Sequence, residues 1–366
     1  MPGNPIIAGV LYPFSLFQHL FEGRVIVFAP WFHTMLKTFI ARRLVNRRRE
    51  TYPVGYLEQK HVDPSLSHPN DSSFFYGGDK EGNAFYCRMA FRGPQREHEY
   101  ALDYYLTGPG FLGIRDDPGP DGEGFEMGSL RWEPLEIGQR WRIAYEGPVE
   151  DRAGAIHQSK VDLVFAGEHP LYDFSDSLDR EQEAEVIASK RWTRSFFLNL
   201  RELSQTHTEQ GGNLKGTIVL DGTPYDLTLR AVRDHSFGSR SWRAWDRHYF
   251  FIGSADNGYR WTVTAFRLDF LDQLKTGYVI DEDGRVDPVV DCPTVEEISA
   301  KQLLPDEGVI TLRTRSGEAH TLEFCRHGHF PYLLDDSYFL SEGIGSYRFD
   351  GSEGLGMVEF GFKKGN

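Results

Sequence analysis

The sequence has few cysteines and lacks the short motifs of the common phosphate-binding and hydrolase sites. Its three cysteines, Cys87, Cys292 and Cys325, are odd in number and widely spaced, so they predict neither a disulfide framework nor a zinc site. The chain contains no Gly-x-x-x-x-Gly-Lys loop and no Gly-x-Ser-x-Gly elbow, which argues against P-loop nucleotide binding and against a serine hydrolase. We predict a reducing, cytoplasmic location with no cofactor and no metal.

Positive charge is scarce outside the start of the chain. The net charge of the 366 residues is -14, yet residues 1–50 carry seven Lys or Arg and only two acids. The rest is strongly acidic. Because nucleic-acid binding needs a basic surface that neutralises phosphates, this composition excludes nucleic acid as the main partner.

Within the N-terminal segment 1–50, residues 1–21 are too polar and too rich in proline to predict a membrane span. Its second half has the spacing of an amphipathic helix with a basic end, formed by Trp31, Phe32, Met35, Leu36, Phe39, Ile40, Leu44, Arg42, Arg43, Arg47, Arg48 and Arg49. Two interpretations stay open. The apolar side packs on the rest of the protein, or residues 31–49 make a peripheral contact with an anionic membrane.

From residue 51 onward, the sequence predicts an all-β protein. Aromatic residues make up 14% of the chain, with 38 Gly and 19 Pro, which favours many short strands joined by tight turns. Pairs of alternating segments flank Asp221-Gly222, Asp256-Asn257-Gly258, Ser316-Gly317 and Asp350-Gly351. Such dense hairpins favour closed barrels. We predict one barrel over 51–177, a helical linker over 178–203 and a second barrel over 204–366.

The segment 233–242 concentrates ionisable and aromatic residues at the end of a predicted strand. Asp234 and His235 are candidate acid–base groups, since a carboxylate beside an imidazole can fix its tautomer and raise its basicity. The candidate substrate-binding residues around them are Arg233, Arg240, Trp242, Trp245 and His248. The alternative is a hydrogen-bonded corner of the barrel without catalytic function.

This segment also carries a family resemblance. Together with Thr206-His207-Thr208-Glu209-Gln210, Gly216-Thr217-Ile218 and Asp221-Gly222, it resembles the signature of AttH-like proteins, a double-lipocalin group that includes carotenoid 1,2-hydratases. The same residues resemble the β region of animal phosphoenolpyruvate synthase-like proteins. The resemblance covers roughly residues 120–366 and implies two lipocalin-like barrels in tandem. Its hydratase members act on long apolar polyenes by protonating an alkene, and Asp234 and His235 stand at the motif position.

These observations lead to one functional hypothesis and two alternatives. The leading hypothesis is a hydrophobic small molecule, such as an isoprenoid, polyene or lipid, held inside a barrel or between the barrels and subjected to hydration, cyclisation or isomerisation. One alternative is a non-catalytic lipid-binding module associated with membranes. The other is a structural module that acts through partners.

Overall fold

The computed structural model describes residues 30–45, 52–92, 99–114, 124–174, 179–202, 205–299 and 304–365. Its nineteen strands are β1 Pro69–Gly78, β2 Ala84–Phe91, β3 Glu99–Leu106, β4 Gly110–Gly113, β5 Phe125–Met127, β6 Leu130–Glu136, β7 Arg140–Asp151, β8 Ile156–Gly167, β9 Tyr172–Asp173, β10 Gln205–Leu220, β11 Thr223–Ser239, β12 Trp245–Ala255, β13 Arg260–Leu268, β14 Leu271–Ile280, β15 Val286–Asp291, β16 Glu307–Thr314, β17 Ala319–Leu334, β18 Tyr338–Phe349 and β19 Ser352–Lys363. The helices are α1 Pro30–Val45, α2 Val54–Leu57, α3 Arg180–Ser189, α4 Arg194–Glu202 and α5 Val295–Ile298.

The strands form two antiparallel rings, which confirms the all-β prediction. In the first ring, neighbours run in the order β4-β3-β2-β1-β11-β10-β8-β7, and a short pairing of β4 with β7 completes the circle. In the second ring, β12 to β19 pair in chain order and β19 pairs with β12. Strands β6 and β5 continue the first sheet beyond β7, and β9 pairs with β10.

The boundary between the barrels lies later than the sequence predicted. Strands β10 and β11 pair with β8 and β1, so they belong to the first barrel. The prediction that the second barrel begins at residue 204 and carries the 233–242 motif is therefore wrong. The chain passes to the second barrel through a 3₁₀ turn at Trp242–Ala244. A hairpin has the same alternating pattern in either barrel, and only its long-range pairing decides which one it completes.

The turn residues that indicated hairpins adopt the expected backbone. Asp221 and Gly222 between β10 and β11 have φ of 48° and 83°, and Asp350 and Gly351 between β18 and β19 have the same values. Both pairs thus have the positive φ that a type I′ turn requires at its two central positions.

Both barrel interiors are filled with large side chains. Phe75, Trp141 and Phe165 are buried in the first, and Phe251 and Trp261 in the second. Each such side chain stabilises the fold by about 1.5–3 kcal/mol when fully buried. Of the two predicted ligand sites, the space between the barrels is therefore the better supported.

Helix α1 packs on the linker helices on one side only. Its Ala41 is fully buried against Ala184 and Ile187 of α3, while Met35 and Phe39 are 54% and 50% exposed. The predicted arginines at 47–49 lie outside the described residues. No helix in the described part of the chain is long and apolar enough to cross a membrane.

Candidate active site between the barrels

Strand register places a polar row on the outer face of the first barrel. Phe74 of β1 pairs with Arg88 of β2 on one side and with Asp234 of β11 on the other, and Asp234 pairs in turn with Glu209 of β10. Directly paired residues point to the same face of a sheet. Arg88, Asp234 and Glu209 are each 7% exposed or less, because the second barrel covers this face.

A matching row lies on the facing surface of the second barrel. Glu342 of β18 pairs with Glu359 of β19, which pairs with Phe250 of β12. His248 lies two residues from Phe250 on the same face of β12. Glu342 is 1% exposed, Glu359 8% and His248 4%. Two buried polar surfaces therefore meet where the barrels pack.

Hydrogen bonds and apolar contacts join the two surfaces. The Tyr86 hydroxyl donates to Glu342 Oε1 at 2.8 Å, and the Tyr76 hydroxyl donates to the Gly356 carbonyl at 2.7 Å. Around them lies an apolar cluster drawn from both barrels, formed by Phe74, Tyr76, Tyr86, Ala101, Phe174, Val232, Phe250, Ile252, Tyr278, Ile280, Phe330 and Met357. The interface thus combines an apolar cluster with a few buried polar groups, as small-molecule binding sites do.

The paired carboxyl groups of Glu342 and Glu359 are the most unusual feature of this interface. Burial raises the pKa of Glu359 to about 7. Burial, followed by the charge of Glu359, raises the pKa of Glu342 well above its ordinary value. Two neighbouring carboxylates in a dry site cannot easily both ionise. The pair therefore retains a proton at a pH where exposed glutamates have lost theirs.

His248 connects this pair to an aromatic wall. Its Nε2 is hydrogen-bonded to Glu359 Oε1, and its Nδ1 lies 2.6 Å from the Tyr338 hydroxyl. Burial lowers the pKa of His248 to about 3, so the ring is neutral. Gly361 lies against both rings, and a Cβ there would overlap them. A neutral imidazole has one N–H, so with Glu359 protonated it accepts that proton at Nε2 and donates from Nδ1.

A second ionisable group lies on the first barrel. His207 Nε2 is hydrogen-bonded to Asp234 Oδ2 and lies 3.8 Å from Glu209 Oε1. Burial acts to lower the pKa of His207, but the Asp234 carboxylate outweighs it and the net shift is upward. The ring of Phe174 stacks on the imidazole at 4.3 Å. This arrangement suits a base that is more basic than a free histidine.

Glu209 links this group to the second barrel. Its Oε2 accepts hydrogen bonds from the Thr262 hydroxyl at 2.6 Å and the Tyr278 hydroxyl at 2.8 Å. Burial raises the pKa of Glu209 to about 7. One ligand atom from each of His207, Glu209 and Asp234 lies within 4.8 Å of the others, so this group has the composition of a metal site. The direct bond between His207 and Asp234 also satisfies both side chains without an ion.

Asp234 and His235, predicted to act together, lie on opposite faces of β11. Successive side chains of a strand alternate between its faces. Asp234 reaches the inter-barrel surface, whereas His235 points into the first barrel and lies 3.0 Å from Asp71 Oδ1 and 2.8 Å from the Leu57 carbonyl. Burial acts to lower the pKa of His235, but the charge of Asp71 reverses this shift. The imidazole that contacts Asp234 is that of His207.

Arg233 is likewise directed into the first barrel. It donates two hydrogen bonds to Glu58, at 2.8 and 2.6 Å. Glu58 also accepts a hydrogen bond from Trp141 Nε1 at 2.6 Å. This closed ion pair under α2 gives Arg233 an internal structural contact rather than a position in the inter-barrel site.

Three other predicted residues converge near His248. Trp242 stacks on Tyr338 with ring centroids 5.3 Å apart, and Trp245 meets the His248 ring edge-on at 5.5 Å. Arg240 lies over the Trp242 ring at 5.0 Å. Gly238 has a φ of 130°, a region that favours glycine, so the end of the motif does require a glycine. The structure thus groups Asp234 on one surface with Arg240, Trp242, Trp245 and His248 nearby.

Two cavities of the described structure bear on ligand binding. One of about 30 Å³, enough for a single water, lies between the barrels beside Tyr76, Trp261 and Tyr278. The other, of about 790 Å³, lies beside β5, β6 and β7 of the first barrel, and its lining includes Glu58, Trp132 and Arg142. An apolar ligand between the barrels therefore needs their contact to open.

Sequence reasoning missed four residues at the interface: Arg88, Glu209, Glu342 and Glu359. Each is a charged residue within a run of consecutive buried positions of its strand. A charge in such a strand requires a partner or a function. No local sequence pattern shows which of these strands face each other.

Comparison with known proteins identifies the family and the fold. A family model described as "Domain of unknown function (DUF7064)" matches residues 57–363. No curated protein matches the chain significantly.

The chain is similar to several solved structures. A protein assigned as AttH from Nitrosomonas europaea is similar with a TM-score of 0.56 and 12% identity over 86% of this chain and 97% of that one. Kievitone hydratase from Nectria haematococca is similar with a TM-score of 0.47 and 8% identity over 86% of this chain and 93% of that one. For CghA the TM-score is 0.46 and the identity 9%, over 84% of this chain and 95% of that one. The TM-score of 0.56 shows that this chain shares the fold of the AttH structure, which confirms the predicted resemblance to AttH-like proteins. The resemblance to animal phosphoenolpyruvate synthase-like proteins stays a prediction.

Proposed function

For a chain that belongs to the family described as "Domain of unknown function (DUF7064)", we propose acid–base chemistry on a hydrophobic small molecule held between the two barrels. The substrate class is an isoprenoid, a polyene or another lipid-like molecule. The reaction class is hydration, cyclisation or isomerisation. The observation that carries the proposal is the buried Glu342–Glu359 pair, which retains a proton inside an apolar surround.

In this proposal Glu359 is the general acid. A protonated carboxyl with a pKa near 7 can transfer its proton to an alkene carbon and be reprotonated near neutral pH. Glu342 keeps its own proton when Glu359 gives up a proton, so the two neighbouring carboxyl groups are not charged together. The rings of Trp242, Trp245 and Tyr338 lie beside His248, where their faces stabilise a developing carbocation.

The proposed base is His207, oriented by Asp234. In a hydration, water attacks the cationic carbon and loses a proton to the His207 imidazole. In an isomerisation or cyclisation, the same imidazole takes the proton from a neighbouring carbon. In either case Glu359 loses one proton and His207 gains one, so the number of protons on the protein is unchanged. Asp234 keeps the imidazole in the tautomer that presents its free nitrogen.

Proton transfer to carbon gives a test that does not require the substrate in advance. Purified protein incubated in D2O with a total lipid extract should produce molecules that gain either one D2O or one carbon-bound deuterium, measured by high-resolution mass spectrometry. Asp234→Asn should reduce this incorporation at least about tenfold, because the base loses its orienting carboxylate.

The matched control for this test is Asp226→Asn on the same strand. Asp226 is exposed and accepts a hydrogen bond from Thr217 at 2.6 Å, far from the inter-barrel surface. It should leave incorporation unchanged. Wild-type protein that places no deuterium on carbon, or equal incorporation by Asp234→Asn, would contradict acid–base chemistry at this site.

A second candidate function is lipid binding at a membrane surface through α1. The exposed side of this helix presents Met35 and Phe39, and the Arg43 guanidinium lies 4.7 Å from the Phe39 ring. An apolar face beside basic residues is typical of helices that lie in an anionic membrane interface.

Vesicle binding tests this second function. Met35→Ser combined with Phe39→Ser should weaken sedimentation with phosphatidylserine-containing vesicles at least about tenfold, since each side chain loses apolar burial. The matched control replaces Val309 and Leu333, which are exposed on the second barrel, with serine. Binding that is absent in the wild type, or equal in the two variants, would rule out a membrane contact through α1.

A further inference from the structure

Two buried guanidinium groups beside the candidate active site have donors that the protein leaves incompletely paired. Arg88 is 7% exposed, and its Nε and Nη2 make no hydrogen bond. Its Nη2 lies 3.5 Å from Glu99 Oε2, outside hydrogen-bonding geometry. That carboxylate is already bound by Arg92, whose Nη2 donates to both of its oxygens at 3.0 and 2.9 Å.

Arg240 is held only by neutral groups. It donates to Gln205 Oε1 at 3.1 and 2.8 Å and to Ser236 Oγ at 2.7 Å. No carboxylate among the described residues forms an ion pair with it. Burial, followed by the charges of Arg92 and Arg88, lowers the pKa of Arg240 to about 9. Glu99 and Asp234 therefore compensate only part of the positive charge of Arg88, Arg92 and Arg240.

Strand register brings the two arginines to one place. Ser236, the partner of Arg240, pairs with Ser72 of β1, and their hydroxyls are 3.1 Å apart. Ser72 lies two residues from Phe74 on the same face, and Phe74 pairs with Arg88. Both guanidiniums thus lie on the inter-barrel face of the first barrel, on the side of Asp234 that leads to Trp242.

We propose that Arg88 and Arg240 bind an anionic headgroup, a carboxylate or a phosphate monoester, on the hydrophobic substrate. A guanidinium presents a planar set of donors that matches these anions. A buried guanidinium whose donors are incompletely paired destabilises the protein, and a bound anion offsets that effect. With its anion at Arg88 and Arg240, a substrate extends its apolar part along Trp242 and Trp245 toward Glu359. This inference rests on the proposed site and specifies its substrate as an amphipathic acid.

Matched pairs of probes test the headgroup separately from the chemistry. cis-Parinaric acid and its methyl ester form one pair, and farnesyl monophosphate and farnesol form the other. The wild-type protein should bind the charged member of at least one pair at least about tenfold more tightly, as expected for hydrogen bonds to a charged group. The pair that shows the preference distinguishes a carboxylate from a phosphate substrate.

Arg88→Met and Arg240→Met should each reduce this preference to about threefold or less, with binding of the neutral member unchanged. Two variants are made so that a folding failure in one leaves the other informative, and their melting temperatures are measured alongside. Arg142→Met is the control, because Arg142 is an exposed partner of Asp162 on β7, where the second barrel does not cover it.

The outcomes separate the two proposals. Equal binding of charged and neutral probes, or a preference that persists in both variants, overturns the anion site and leaves acid–base chemistry on a neutral lipid standing. Deuterium incorporation by the wild type that vanishes in Arg88→Met while neutral probes still bind supports both. Failure of the wild type to bind any of the four probes overturns the anionic headgroup, and the D2O experiment then decides the chemistry independently.

Discussion

Arg233→Met is expected to lower the free energy of unfolding by about 3–5 kcal/mol, measured by urea denaturation. The substitution removes two hydrogen bonds from Glu58, at 2.8 and 2.6 Å, and leaves that carboxylate buried with the Trp141 indole as its main donor. An uncompensated buried charge is among the most destabilising changes a single substitution can make.

Two controls separate this ion pair from a general effect of losing an arginine. Arg142→Met breaks an exposed pair with Asp162 and should change stability by less than about 1 kcal/mol. Adding Glu58→Gln to Arg233→Met should restore part of the loss, because no charge is then left buried. A loss below about 1 kcal/mol in Arg233→Met would contradict a structural role and return Arg233 to the list of substrate-binding candidates.

Glu359→Gln should reduce turnover by about 10²–10⁴-fold while the protein stays folded. Gln keeps the shape of the side chain but cannot supply the proton, which we expect to limit the reaction. In the wild type, kcat/KM should fall as the pH rises through about 7, since the acid must be protonated and the pKa of Glu359 is about 7. The measurement is deuterium incorporation in D2O across a pH series.

The same substitution should stabilise the protein at alkaline pH. Burial raises the pKa of folded Glu359 to about 7 from the ordinary 4.5, so between these values the folded state holds a proton that the unfolded state has lost. Wild-type stability therefore falls as the pH rises over this window, by roughly 3 kcal/mol at most. Glu359→Gln removes that fall, so its melting temperature should exceed the wild type's at pH 8 and match it near pH 4.5.

A simultaneous loss of activity and gain of stability is the signature that a purely structural glutamate would not give. A structural Glu359 would lose stability at all pH values when replaced, together with the interface it supports. Retained turnover in Glu359→Gln would contradict its role as the acid. The Glu342→Gln variant, which leaves Glu359 in place, should show a smaller loss of turnover.

The hairpins could be predicted from sequence because their signals are local. Asp221-Gly222 and Asp350-Gly351 specify turns whose backbone other residues rarely adopt, and period-two alternation marks the strands beside them. The barrel that a hairpin joins is not local information. Strand β11 completes the first barrel by pairing with β1, and no feature of residues 223–239 distinguishes that pairing from one with β12.

The site shows the same division between local and long-range information. Alternation along β11 already implies that Asp234 and His235 point apart, so the sequence could have excluded their direct contact. The partners that replace it, His207 for Asp234 and Asp71 for His235, come from strands whose register depends on the whole sheet. Glu342 and Glu359 meet for the same reason, and their approach to Arg88 depends on how two barrels pack.

The late position of β10 and β11 in the chain affects how the protein is made on the ribosome. Strand β1 begins at Pro69, and its β11 partner for that residue is Ser239, so the first barrel stays open while the intervening residues are synthesised. At typical translation rates of about 5–20 residues per second, this interval is roughly 10–30 s. Throughout it, the nascent chain exposes one edge of β1 and a row of large apolar side chains. We therefore expect nascent chains that stall before residue 239 to depend on chaperones, and truncated products to aggregate. The second barrel waits a shorter interval for closure, because Arg247 of β12 pairs with Phe362 of β19.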